Sequence, residues 1–304
     1  NNTGLGRGAL RSNTTASNNT AVGYESQYSG TTGYWNSSLG YQALYSNITG
    51  GQNVAMGFRA AYATDNGNNV TAIGYQALTA NTSGNSNTAL GAQALASNTT
   101  ASENTAVGYQ AGYSNTTGGA NIFVGYQSGY NITTSAYNIS IGYQAGLGGA
   151  GTSVSESLMV GYRAGYNATT ATFNILLGNE TGLSTTSGTY NVAIGQYTFR
   201  SNTTGSSNTA IGYQAMYLNT TGVQNVSVGD NALYSNTTGG SNTALGRQAL
   251  ALNTTASNNT AVGFQAGFSN TTGAQLVAVG QGSLYLNTTG ADNTAVGRAT
   301  LNAN

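Results

Sequence analysis

Two kinds of side chain recur through this sequence at spacings that could carry chemistry. The first is asparagine in Asn-x-Ser/Thr. It occurs at Asn13, Asn47, Asn81, Asn98, Asn115, Asn202, Asn219, Asn236, Asn253, Asn270 and Asn287, and outside that series at Asn36, Asn69, Asn138, Asn179 and Asn225. The motif is an acceptor signal for N-linked sugar, so the main series would place a line of glycans along one edge of the fold. The neighbouring threonines offer O-linked attachment. The competing reading is that Asn-Thr-Thr-Gly is good turn sequence, and that a chain rich in Asn and Thr generates such motifs by chance. The second kind is aromatic. Tyr24, Tyr41, Phe58, Tyr75, Tyr109, Tyr126, Tyr143, Tyr162, Tyr213 and Phe264 each follow a glycine. An exposed row of this sort can bind sugars, a sister chain or a neighbouring filament, or its rings can stack on one another.

Other chemistry has little footing. The chain has no His, no Cys and no Lys, and its seven acids (Glu25, Asp65, Glu103, Glu156, Glu180, Asp230, Asp292) form no row and share no motif spacing. General acid–base or nucleophilic catalysis would need such groups placed together, so the expectation is a non-enzyme with neither cofactor nor metal. Net charge is zero and charged residues make up 5% of the chain, which gives no electrostatic basis for binding nucleic acid. No apolar run approaches the roughly 20 residues of a membrane-spanning helix, so no membrane insertion is expected in this segment.

The elements that position these side chains follow from one period. A glycine recurs every seventeen residues from Gly6 to Gly142 and again from Gly161 to Gly297, with one interval of nineteen between the two series. A strict short period means one supersecondary unit stacked on itself. With this glycine as position 0, position −1 is always aliphatic, position −2 is mostly Ala, and position −3 is Thr, Val, Ile, Leu or Ser. That alternation reads as a short strand with the aliphatic residue buried. Position +3 is small, which suits a tight inward corner, and position +4 is usually Leu, a core plug. In six units position +4 is Gly (Gly112, Gly129, Gly146, Gly165, Gly182, Gly267), and a large apolar residue follows at +5, as at Tyr113, Tyr130 and Phe268. The reading is that the second residue replaces the first in the core. Positions +7 to +10 are turn sequence, and Asn at +13 can form a hydrogen-bonded ladder from unit to unit. Proline is absent, as expected where every coil donates its backbone N–H groups to a neighbour.

The predicted fold is all-β: a parallel β-solenoid of about eighteen seventeen-residue coils, each holding two short strands, as a single domain over 1–304. The longer interval predicts a two-residue insertion near 148–155 that protrudes without breaking the stack. Because the sequence starts and stops within a unit, it reads as a fragment or repeating piece of a longer fibre.

The string Asn-Thr-Ala-Val-Gly-x-x-Ala, as at Asn104 to Ala111, resembles the repeat of YadA-like trimeric autotransporter adhesin heads. The whole unit, with NTAVGYQAL and SNTTG, also looks like tandem arrays of phage-tail-fibre-like and bacterial surface proteins. The resemblance implies a left-handed β-roll, homotrimeric assembly and an extracellular or virion-surface location. Two departures stand out: a period of seventeen, longer than the adhesin unit, and a far higher Tyr content. The expected function is an extracellular structural protein that self-associates, as a homotrimer or end to end, into a stiff fibre with glycosylated turns. The alternative is an adhesin that binds glycans or a surface through the Tyr row. A minor alternative is an ice-binding solenoid. Against it, the Thr pair sits in a Gly-containing turn, and the strand Thr alternates with Val and Ile as buried residues do.

Overall fold

The computed structural model describes residues 1–149 and 151–302. It comprises two compact units, Asn1–Ser155 and Glu156–Asn304. The first holds nine strands, β1 (Thr3–Leu5) to β9 (Ile139–Ile141), and the second holds nine more, β10 (Leu158–Val160) to β18 (Thr294–Val296). Each unit is a parallel β-solenoid with one strand of three residues per coil, and no helix occurs among the described residues. One strand therefore replaces the two expected; the rest of each coil is turns.

Strands pair in register with the coil above. Thr105 lies against Ile122 and Val107 against Val124, and the same seventeen-residue offset holds in the second unit, where Thr243 faces Thr260. The turns are bonded from coil to coil as well. Leu95 N–H donates to the Ala111 carbonyl at 3.0 Å, Gly108 N–H to Leu90 at 2.8 Å, and Thr116 N–H to Thr133 at 2.7 Å. Backbone donors around much of the coil are thus used along the stack, which accounts for the absence of proline.

The strand parity is the reverse of the expectation. The middle residue points inward: Ala89 is fully buried, whereas Leu90 beside it is 43% exposed and Met56 is 44% exposed. Positions −3 and −1 both face outward, and the interior is filled instead by the small residues at −2 and +3 and by Leu at +4. Leu44, Leu78, Leu95, Leu233, Leu250 and Leu284 are all buried there. A seventeen-residue coil is so thin that its strand side accepts only a small side chain, Ala or Ser, opposite that Leu.

The +4 plug sits in the left-handed region, with φ of 54° at Leu44 and 53° at Leu78. A non-glycine residue there costs about 1–2 kcal/mol, against about 1.5–3 kcal/mol gained by burying a Leu side chain. Leu therefore wins in most coils. Where glycine takes +4 and removes the strain, the missing volume comes mainly from position −2, not from the aromatic residue at +5. Phe123 replaces Ala at −2 and fills the space beneath Gly112 and Gly129. Met159 and Leu176 do the same at Gly165, and Leu176 also at Gly182. Tyr113 and Tyr130 point outward and stack on each other.

The nineteen-residue interval resolves locally. Asn131 Nδ2 donates to the Gly148 carbonyl seventeen residues on, while Thr133 N–H donates to Thr152 nineteen residues on. The two extra residues therefore enter between Gly148 and Thr152, and the coil contacts resume in the shifted register. Ala150, within the predicted insertion, lies outside the described residues.

Candidate functional site

The inner surface of the turn is built from two asparagine rows. At +13, each Asn Oδ1 accepts the backbone N–H of the Asn one coil on, as in Asn121 N to Asn104 Oδ1 at 2.9 Å. The Nδ2 donates to a turn carbonyl, as in Asn104 to Gly118 at 2.9 Å. This is the ladder expected from the sequence. A second ladder lies at +7. Asn115 Nδ2 donates to Asn98 Oδ1 at 2.9 Å and to the Gly118 carbonyl at 2.9 Å, and Asn98 donates to Asn81 at 3.0 Å. The same bonds run from Asn219 through Asn236, Asn253 and Asn270 to Asn287. Both amide protons are used, as a buried amide requires.

This ladder corrects the expectation of outward glycan acceptors. Asn47, Asn81, Asn98, Asn115, Asn202, Asn219, Asn236, Asn253 and Asn270 have no exposed surface, Asn287 almost none, and Asn13 is half-buried. A sugar on Nδ2 would displace a core hydrogen bond and find no room in the folded coil. Asn36, Asn138 and Asn225 are buried too, whereas Asn69 and Asn179 are exposed. At +8 the Thr hydroxyls donate to the carbonyl one coil on, as from Thr116 to Thr133 at 3.1 Å. At +9 Thr100, Thr117, Thr221 and Thr238 are exposed.

One coil breaks both interior patterns. Position +4 is Gln27 in place of Leu, and position +7 is Gly30 in place of Asn. Gln27 is fully buried, with its amide close to where a Gly30 side chain would stand, and neither its Nε2 nor its Oε1 has a partner within the protein. The same holds for Asn47 Nδ2 beside it. Buried unpaired amides cost about 1–3 kcal/mol each. The double variant Gln27→Leu/Gly30→Asn, which restores both rows, is expected to raise the denaturant midpoint of the first unit. The Gln27→Leu change alone should gain less, because it leaves the Gly30 space unfilled.

The outer surface carries the aromatics. Tyr24, Tyr41, Phe58 and Tyr75 form a continuous stack at centroid spacings of 5.1, 5.2 and 5.3 Å. Tyr109, Tyr126 and Tyr143 form a second stack at 5.3 and 5.1 Å. In the second unit the row is discontinuous: Tyr162 lies under Arg163, Phe264 under Arg247, and Tyr213 meets Tyr197 edge-on. Sequence reasoning missed a parallel row at +5: it assigns Tyr113, Tyr130 and Phe268 to the core and does not read the other rings at this position as a row. Tyr28, Tyr45 and Tyr62 stack at 5.1 Å, as do Tyr113 and Tyr130, and Tyr217–Tyr234 and Phe268–Tyr285 stack at 5.3 and 5.2 Å. Burial first, then the Glu25 carboxylate, pushes the Tyr45 hydroxyl above its ordinary pKa; burial does the same for Tyr130. Both stay neutral at physiological pH.

Between the two rows runs a third, of amides at +2. Gln144, Gln127, Gln110 and Gln93 hand one hydrogen bond down the stack, each Nε2 donating to the Oε1 one coil below at 2.9–3.0 Å. The coils of Gly40, Gly108, Gly125, Gly212 and Gly263 thus present an aromatic ring, an amide and a second ring across one side. No protein-family model, curated protein or solved structure matches this chain. Its surfaces have to be read from their own chemistry. Among the described residues no group of three or more Asp or Glu side chains could hold a metal ion, and an ion pair from Arg200 to Glu180 at 2.7 Å bridges neighbouring coils.

The third outer surface is the strand face. Positions −3 and −1 place Val54 and Met56, Ile122 and Val124, and Ile175 and Leu177 side by side on a parallel sheet. Sequence reasoning missed this surface because it had placed position −1 inside.

Proposed function

We propose that this chain is an extracellular structural protein whose stacked β-coils build a stiff fibre or appendage by self-association. The observation that carries the proposal is the outward strand face, with its unbroken aliphatic row at position −1. Nine strands at about 4.8 Å spacing make, in each unit, a face roughly 43 Å long and about 10 Å wide. Position −1 on it is aliphatic in every coil. Monomeric proteins rarely leave a contiguous apolar patch beyond a few hundred Å² uncovered. A second or third copy presenting the same face would bury it, since the rows repeat at one spacing on both copies. The resemblance to YadA-like head repeats favours three copies. Dense coil-to-coil hydrogen bonding then supplies stiffness along the stack.

The test is sedimentation equilibrium with a variant carrying Leu90→Arg, Val107→Arg and Val124→Arg. These side chains point away from the core, so the coils should still form. The unmodified chain is expected to be oligomeric and the variant at least tenfold weaker in association. A parent chain that remains monomeric at high concentration refutes the proposal.

An adhesin that uses the aromatic rows is the second reading, favoured by the exposed Tyr24–Tyr75 stack. Glycan-array binding lost on Tyr41→Ala would support it. Ice binding has less support. The strand-face row mixes Thr with Val, Ile, Leu and Ser, and the +8 hydroxyls are already bonded within the stack.

A further inference from the structure

The +5 aromatic row of the second unit has a gap of one ring. Tyr217 and Tyr234 stack at 5.3 Å, Phe268 and Tyr285 stack at 5.2 Å, and between the two pairs the position belongs to Ala251. Tyr234 and Phe268 are two coils apart, about 10 Å at the usual strand spacing. That is the separation at which one further ring completes the stack, with about 5 Å to each neighbour. A cavity of about 200 Å³ occupies this place, lined by Tyr234, Phe268, Ala251, Leu252 and the amides of Gln214, Asn231 and Gln248.

The amide row is broken at the same point. Gln265 Nε2 donates to Gln248 Oε1 at 2.9 Å, but the chain of bonds stops there. Asn231 stands where a Gln would continue it, and is one methylene too short. Among the described residues, the Gln248 Nε2 and the whole amides of Asn231 and Gln214 have no side-chain hydrogen-bond partner. The gap between the rings therefore opens onto unused donors and acceptors, while no charged side chain lines it.

We propose that this slot is a binding subsite for one neutral pyranose ring. The two flanking aromatic faces take the C–H faces of the sugar. The Gln248 Nε2 donates to a ring hydroxyl, and Asn231 and Gln214 offer both a donor and an acceptor to others. Amides arranged on one side of a ring suit a ligand with hydroxyls around its edge better than a plain aromatic ring, which offers them nothing to bond. The absence of lining charge selects against uronic and sialic acids. The proposal is independent of fibre assembly, because the slot lies on the aromatic side of the coil and the assembly face on the strand side.

Saturation-transfer NMR on the full chain tests it, with methyl glucopyranoside, galactopyranoside and mannopyranoside as probes, methyl glucuronide as the charged control, and phenol and indole as aromatic controls. At least one neutral pyranoside is expected to bind in the millimolar range. Ala251→Tyr, which inserts the missing ring, should reduce that binding at least tenfold while leaving the circular dichroism and melting temperature unchanged or higher. Gln248→Leu should weaken it several-fold with the slot still open. Binding that survives Ala251→Tyr, binding of phenol or indole but of no pyranoside, or no binding of any probe to the folded parent chain would each overturn the proposal.

Discussion

Phe123→Ala is expected to destabilise the coils around residues 105–140 by about 3–5 kcal/mol, the range for deleting a buried aromatic ring. Phe123 is fully buried, and its ring serves two coils at once. A Cβ placed on Gly112 would lie 2.5 Å from its Cδ2, and one on Gly129 would overlap its other edge. Removing the ring leaves two empty +4 positions, of which only the Gly112 space has a neighbouring aliphatic side chain, Leu95, at its edge. Stability in a stacked array is set by each coil and its nearest neighbours, so the loss should appear as increased hydrogen exchange and proteolysis in this stretch before any global melting. Rescue is the sharper test. Gly112→Leu and Gly129→Leu, added to Phe123→Ala, reconstruct the arrangement seen at Leu78 and Leu95, whose φ values of 53° and 50° are close to the 60° and 61° of the two glycines. The triple variant should recover most of the stability. Gly112→Leu alone, with Phe123 still present, should be destabilising because the two side chains claim the same space. The substitution therefore changes sign with its background, as expected for residues in direct contact. If Gly112→Leu is harmful in both backgrounds, the idea that −2 and +4 share one volume is wrong.

That exchange also explains where the sequence misleads. The seventeen-residue period, the strand position and the Leu plug at +4 follow directly from residue spacing. The direction of the strand side chains does not. Thr-Ala-Val alternates with period two whichever way it faces, and ordinary reasoning puts Val inside and Ala outside. In this coil the interior width decides: with Leu95 crossing from +4, only Ala89 or Ala106 fits opposite. A hint was present at −3, where Thr105 and Ser37 occupy a row shared with Ile122 and Val54, because a position that accepts both kinds of residue is seldom sealed in a core. The aromatics at +5 were misread for a related reason. The correlation with Gly at +4 was real, but the compensating residue is eleven positions further on, or six positions back in the coil, and contact across a coil cannot be read from adjacency. The asparagines at +7 posed a third problem. An acceptor motif and a buried ladder have the same sequence, and only the inward direction of Asn98 and Asn115 separates them.

Gly108→Ala should be at least as damaging as loss of the Phe123 ring, although it adds a single methyl group. Two costs combine. Gly108 has φ of 133°, outside any region that an L-residue occupies comfortably, and such strain costs about 1–3 kcal/mol. The new Cβ would also lie 2.5 Å from the carbonyl oxygen and 2.8 Å from the carbonyl carbon of Gly125 in the next coil. These are backbone atoms and cannot move aside as a flexible side chain can. The carbonyl and amide groups nearby are held by coil-to-coil bonds, with Gly108 N–H on Leu90 and Gly125 N–H on Val107, both at 2.8 Å. Relief therefore requires the two coils to separate and several of these bonds to lengthen together. The comparison is Gly119→Ala. Its φ is not in the left-handed range, its Cβ would approach one atom at 3.1 Å, and the equivalent position one coil earlier is Ser102. That variant should melt close to the parent chain. A melting temperature for Gly108→Ala within a degree or two of the Gly119→Ala value would show that coils can part at low cost. The invariant glycine would then need an explanation other than the closeness of the stack.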